Sequence, residues 1–307
     1  MVRGRVATDA EEKAWQSGWQ ERLQAWYGRG GGPAEWAGQQ AGNRTAILSR
    51  ARERETLALT SADGIVGVLT VCIVEQGAVS LAFLIDVRIA PEHRRRGYGA
   101  RALQLAEAWA RARGASSLQV ITDPGDPAQA ALFATYPVRA LQMIKHITSR
   151  QQLSDGVSGR TMTEAEFADF RDETEEGYAS DIAGSGAMSL EKAKALSAAQ
   201  MRELLPSGLR TAGHSFLSLC AGAEVVATNW IAHHRWPGVS WVYGVETHEQ
   251  FRGKGYGRAA MVLGEQATLD AGNTYLALNV FGQNSVAIGM YRSMGYRAYD
   301  EGRSIDL

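Results

Sequence analysis

Cysteine is nearly absent from this chain of 307 residues: there are two, Cys72 and Cys220, each within an apolar, strand-like run. They occupy neighbouring but not identical places in the two halves, so no bridge between them is expected. The reading is two buried thiols in a reducing compartment. An excess of charge of one sign is also missing. Acidic residues number 33 and basic residues 32, which removes any global electrostatic argument for a nucleic-acid partner. No stretch approaches the roughly 20 apolar residues that a membrane span requires. After Met1-Val2-Arg3 the chain turns charged from Asp9 to Lys13, where a signal peptide would have its apolar middle. A soluble, cytoplasmic protein without a membrane partner is expected. Low-complexity tracts and short-period repeats are missing too.

What is present is one long duplication. Arg94-Arg95-Arg96-Gly97-Tyr98-Gly99 recurs as Arg252-Gly253-Lys254-Gly255-Tyr256-Gly257, and subtracting 94 from 252 gives an offset of 158. The same offset carries Val87 onto Val245, Ala102 onto Ala260, Leu105 onto Leu263, Glu107 onto Glu265, Gly114 onto Gly272 and Leu118 onto Leu276. Glycine-rich strings are common, but a gapless repeat of loop, helix and following strand means two related domains. The expected division is 1–150 and 151–307, with polar residues 149–159 as the linker. Each loop follows an apolar strand and opens an amphipathic helix. Alternate glycines let the backbone turn tightly and aim several N–H groups at one point, where the helix dipole adds positive charge. A phosphate or pyrophosphate is the natural ligand of such a loop.

Periodicity fills in the rest. Trp15, Trp19, Leu23 and Trp26 recur at helical steps in a first helix that Gly30 to Pro33 stops. Strands are expected near 55–60, 64–74 and 79–90, then after the loop and helix at 117–122 and 141–147. The second half repeats this order: helices over 163–204, strands near 214–220, 224–233 and 239–247, then loop, helix and strand.

Strand, Arg-x-x-Gly-x-Gly loop, helix and strand, followed by Asn284, Tyr291 and Gly295-Tyr296 at fixed spacing, resemble the GNAT superfamily of acyl-CoA-dependent N-acyltransferases. The resemblance implies an α/β (α+β) fold of two GNAT domains. Each has a mixed, mostly antiparallel sheet with a splayed central strand pair flanked by helices. It implies acetyl-CoA as cosubstrate. The pyrophosphate would lie on Arg252, Gly253, Lys254, Gly255, Tyr256 and Gly257, and the pantetheine arm on the backbone of Val245 and Thr247. Asn279 and Asn284 come from the following strand and loop, and Asn284 matches an asparagine that contacts CoA. Tyr291 matches the tyrosine near the thioester sulfur. A second CoA site would use Val87, Ile89, Arg94, Arg95, Arg96, Gly97, Tyr98 and Gly99. Tandem members such as mycothiol synthase share this layout and length.

Acyl transfer to an amine needs an oriented thioester, an oxyanion donor, a base and an acid. Tyr291 is the candidate acid and Glu246, at the end of the strand entering the loop, the candidate base. His233 and His234 are a weaker alternative, and as strand neighbours facing opposite ways they make a poor metal pair, so no metal is expected. The first half lacks these groups: Tyr291 falls on Phe133, Asn284 on Asp126, Glu246 on Arg88 and Gly295 on Pro137, although Asp86 lies two residues before Arg88. Catalysis is therefore expected in the second half. The expected reaction is acetylation of the primary amine of a small molecule, such as an antibiotic, amino-sugar or metabolite. Alternatives are a mycothiol synthase-like or protein N-acetyltransferase, and a non-catalytic acyl-CoA-binding module. Eight acidic side chains between 164 and 181 would favour a cationic acceptor if they lined its pocket. Both a monomer and a homodimer are compatible with two fused domains.

Overall fold

The computed structural model describes residues 2–62, 64–77, 79–184 and 189–307. The first part of the chain forms β1 (Arg3–Val6), α1 (Asp9–Arg29), α2 (Ala34–Ala46), β2 (Glu53–Ser61), β3 (Gly64–Gln76) and β4 (Val79–Ile89). It continues through α3 (Tyr98–Arg111), β5 (Ser117–Thr122), α4 (Pro127–Leu132) and β6 (Val138–His146). Then come β7 (Val157–Thr161), α5 (Glu164–Gly184), α6 (Leu190–Leu204), β8 (His214–Ala221), β9 (Glu224–Trp236) and β10 (Val239–Thr247). The chain closes with α7 (Tyr256–Asp270), β11 (Tyr275–Phe281), α8 (Ser285–Ser293) and β12 (Arg297–Asp306).

Contacts divide the chain into two units that are not continuous in sequence. Unit 1 takes residues up to Met143 together with Val280–Tyr291 and Arg297–Leu307; unit 2 takes Ile144–Asn279 and Arg292–Tyr296. Where the sequence reading cuts the chain once, at 150, the contacts give the last strand to the first unit. The polar stretch read as a linker ends in structure: from Val157 it is strand β7, paired with β8.

In unit 1 the strand order is β1-β2-β3-β4-β5-β12-β6. The pairs β1–β2, β2–β3, β3–β4 and β5–β12 are antiparallel, and β4 with β5 run parallel. One face carries α3, whose Ala102, Ala106 and Ala110 have no accessible surface and let the helix lie close on Leu69, Val71 and Leu118. In unit 2 the order is β11-β10-β9-β8-β7, again with one parallel pair, β10 and β11. Here α7 packs on Leu217, Leu219 and Val226. The opposite face is covered by Phe167 of α5 and Met201 of α6, against Phe216 and Trp230.

Helix α1 runs as its tryptophan spacing predicts, and Trp15, Trp19, Leu23 and Trp26 are all buried. Thr8 caps it in a reciprocal box with Glu11, and Arg5 pairs with the same glutamate at 2.6 Å. Unit 2 repeats the device: Thr163 and Glu166 exchange backbone bonds, and Arg160 pairs with Glu166 at 2.6 Å. Subtracting 8 from 163 gives 155, not 158, so three residues separate the register of the first helices from that of the loops. In both boxes the ion pair and the backbone bonds hold the glutamate down at about 2.

Candidate active site

Each parallel pair separates after four residues. β4 pairs with β5 only from Leu81 to Leu84, and β10 pairs with β11 only from Val239 to Val242. Each splay starts at a bulge. On the antiparallel side the register slips between Leu84 and Asp86 in unit 1, and between Val242 and Gly244 in unit 2. The bulged residues are Ile85 and Tyr243, which correspond under the offset of 158. A bulge kinks the strand and takes one backbone N–H out of the ladder, and the splay leaves the following peptide groups without a strand on that edge. Val87 and Ile89 in unit 1, and Val245 and Thr247 in unit 2, lie on these open stretches.

The two loops repeat the same backbone turn. Gly97 and Gly255 occupy the N-cap positions of α3 and α7 with φ of 78° and 84°, and no side chain caps either helix. The first N–H groups are therefore available to an external anion. The leading arginine has a structural duty that its charge did not reveal. Nε of Arg94 donates to the carbonyl of Ile89 at 3.1 Å, and Nε of Arg252 donates to Thr247 at 3.3 Å. Each arginine thus ties the loop to the end of its strand and keeps its outer guanidinium edge exposed. Lys254 lies over the ring of Phe251 at 5.5 Å. Tyr256 meets the same ring edge-on and anchors the loop against the α7 face.

Other expected site residues are placed as follows. Glu246 is exposed, on the opposite face of β10 from Val245, and its ion pair with Arg252 spans 3.9 Å. Asn279 is an exposed residue of β11. Asn284 accepts from the N–H of Ala287 at 3.0 Å, and Asp126 accepts from those of Ala128 and Gln129, so both positions cap a helix. Tyr291 is buried, and burial pushes its phenol up to about 12. Phe133 is 1 % exposed and packs edge-on to Tyr136.

The rings of His233 and His214 are tied into the fold. Both ring nitrogens of His233 are engaged, Nε2 with Ser215 at 2.8 Å and Nδ1 with Ser240 at 2.9 Å, and burial lowers its pKa to about 4. His214 accepts from the indole of Trp230 and is lowered by burial as well. The acidic set on α5 is partly neutralised at home. Glu164 pairs with Arg210, Glu166 with Arg160, and Asp172 and Glu175 with Arg171. Cys72 and Cys220 are buried free thiols. Among the described residues no group of acids, histidines and cysteines is disposed to hold a metal, and no helix is long and apolar enough to cross a membrane.

Unit 1 has a different interior at its splay. A cavity of about 170 Å³ lies between β4, β5 and α1, bordered by Trp19, Trp26, Ile85, Val120 and Phe133. Asp86, the carboxylate that could have replaced Glu246, accepts from Nε1 of Trp15 at 2.9 Å and is paired with Arg22. Arg29, two turns further along α1, pairs at 2.8 Å with Asp123 just after β5. The helix thus grips both arms of the splay, and the acid nearest the bulge is already neutralised. Sequence inspection could not find this clamp, because 64 residues separate Arg22 from Asp86.

Comparison with known proteins agrees with this architecture. The chain belongs to the Acetyltransferase (GNAT) family, whose model matches residues 8–135 and again 186–296, one match in each half, and it is therefore an enzyme of the N-acetyltransferase class. Over 143 residues it is 30% identical to the uncharacterized N-acetyltransferase YycN of Bacillus subtilis (strain 168), covering 45% of this chain and 91% of that protein. The uncharacterized N-acetyltransferase YdgE of the same organism is 27% identical over 139 residues, 44% of this chain and 88% of its own length. A GCN5-related N-acetyltransferase from Sphaerobacter thermophilus superposes with a TM-score of 0.55 at 16% identity, over 99% of this chain and 95% of that one, and shares the fold.

Proposed function

We propose that the protein transfers an acetyl group from acetyl-CoA to the primary amine of a small molecule, and that the C-terminal half carries the reaction. The observation that carries this reading is the contrast between two splays of the same construction. The second half keeps a buried phenol, Tyr291, and an exposed carboxylate, Glu246, whereas the first has Phe133 and an Asp86 that is paired with Arg22 and accepts from Trp15. CoA would lie with its pyrophosphate on the N–H groups following Gly253 and Gly255 and its pantetheine amides along Val245 and Thr247.

The amine nitrogen attacks the thioester carbon and forms the C–N bond, and the carbonyl electrons move onto oxygen. Backbone N–H at the Tyr243 bulge stabilises that oxyanion. Collapse of the intermediate breaks the C–S bond, and the departing thiolate takes the phenolic proton of Tyr291, which the phenolate regains from solvent as the products leave. With a pKa raised to about 12 this phenol is fully protonated at neutral pH, as a donor must be. Glu246 receives the proton that the nitrogen gives up, directly or through water. In unit 1 the intact loop supports CoA binding without turnover.

Tyr291→Phe is expected to lower kcat about 100-fold while leaving CoA affinity within about twofold. Equal rates would remove the acid role. Calorimetric titration with acetyl-CoA, using Gly255→Glu and Gly97→Glu variants, counts the sites: loss of all binding in Gly255→Glu alone confines CoA to the second half.

A further inference from the structure

We propose that Arg235 is the receptor for a carboxylate carried by the amine acceptor, so that the substrate is an amino acid or an amino-acid-like molecule. This rests on the acetyltransferase reading of the C-terminal half and narrows its substrate class.

Arg235 is held in place with unusual completeness for an exposed arginine. Its guanidinium lies 5.0 Å from the ring centre of Trp236 and 5.5 Å from those of Trp241 and Tyr243. Nη1 donates to the phenol oxygen of Tyr243 at 2.6 Å. Among the described residues no carboxylate pairs with it. Three rings and one hydrogen bond fix the plane of the fork and leave the remaining N–H donors unused, which is the arrangement that suits bidentate capture of a planar carboxylate. Stacking on rings also removes much of the side-chain entropy that an arginine ordinarily loses on binding.

The backbone is bent to achieve this. Between the Val239–Trp236 and Trp241–Ala232 pairs, three residues of β9 (His233, His234 and Arg235) face the single residue Ser240 of β10. His234 takes a left-handed φ of 60°, which a side chain other than glycine adopts at a cost. Such strain at the residue before a pre-oriented, unpaired cation points to a function for the bend.

The location ties the cation to the reaction. Tyr243, whose phenol anchors Arg235, is itself the bulged residue where the β10–β11 splay begins, and its ring stacks on Trp230 at 4.4 Å. Arg235 is therefore one tyrosine side chain away from the backbone assigned to the thioester oxygen. In unit 1 the matching positions of β4 are Phe83 and Ile85, which offer no phenol, so the receptor is confined to the half that reacts. Of the eight acidic residues on α5 that would argue for a cationic acceptor, four (Glu164, Glu166, Asp172 and Glu175) are paired with arginines.

The test compares acids with their amides. The product-like probes are N-acetylglycine, N-acetyl-β-alanine and N-acetyl-γ-aminobutyrate, each set against its carboxamide. They are titrated calorimetrically into the full-length protein in the presence of CoA. At least one acid is expected to bind about tenfold or more tightly than its amide, and Arg235→Met to erase that preference. Arg235→Lys keeps the charge without the fork and should retain only a minor part of the preference; it also serves if the methionine variant does not fold. In turnover of the corresponding amines, Arg235→Met should raise KM for the acid and leave kcat nearly unchanged. Equal affinity of acid and amide in the wild type, no binding by any acid, or an equal loss for both in Arg235→Met overturns the proposal. Carboxylate discrimination in binding with no acetylation of any amine supports the receptor and counts instead against the acetyltransferase reading.

Discussion

Arg95 and Gly253 occupy the same loop position and the same left-handed backbone, with φ of 59° and 77°. The geometry comes first, and unit 1 tolerates an exposed arginine where unit 2 has the residue that needs no compensation. Gly253→Ala is expected to lower the stability of unit 2 by about 1 kcal/mol, whereas Arg95→Gly should leave unit 1 unchanged or slightly more stable. Urea denaturation of both variants checks this. Asp300 allows a sharper residue-scale prediction. Burial raises its carboxyl from 3.8 to about 7; Tyr27 donates to one oxygen at 3.0 Å, the other has no partner among the described residues, Arg44 pulls the pKa down and Asp123 pushes it up. A carboxyl that is harder to ionise when folded contributes stability below its unfolded pKa, and that contribution is lost as pH rises through the folded one. Stability of unit 1 should therefore fall between about pH 4 and pH 7 on this account. Asp300→Asn should flatten the profile and be the more stable protein at pH 8, as read by denaturation at pH 5 and pH 8.

Elements differ in how openly the sequence declares them. The glycine loops, α1, α3, α7 and the central strands are legible because period and turn chemistry agree over many residues. β12 is not, since Arg297 to Asp306 alternates charged and small residues with few apolar ones. α2 is obscured by glycine and glutamine. The duplicated cap of α1 and α5 is hidden by the three-residue change of register. Of the candidate site, the anion loops could be read directly, whereas the clamp by α1 and the cage around Arg235 depend on contacts between distant or bulged residues. The clamp makes a prediction at this scale. Arg22→Met leaves Asp86 with Trp15 as its one remaining donor among the described residues and is expected to destabilise unit 1 by about 1–3 kcal/mol. Adding Asp86→Leu should recover part of that loss. Neither change should alter acetyl transfer if the second half carries it, and parallel melting and turnover measurements separate the two effects.

At the scale of the whole molecule, a strand from the end of the second half completes the sheet of unit 1. β12 runs antiparallel to β5 from Glu301 to Asp306, and Arg303 donates to the carbonyls of Phe133 and Tyr136. Trp26 donates to the carbonyl of Tyr299 at 2.7 Å. Deleting 297–307 should therefore loosen residues 117–122 and the α1–α2 region more than the strands of unit 2, a pattern that hydrogen exchange resolves residue by residue. The reverse pattern would place the main debt of β12 elsewhere. The same connection also sets an order of events during synthesis. Thr122 leaves the ribosome 179 residues before its partner Glu301, and at about 5–20 residues per second unit 1 waits on the order of ten seconds or more with one edge of β5 unsatisfied. The half that emerges first is thus the half that cannot finish folding first, and throughout translation its exposed strand edge must be kept from pairing with a stranger.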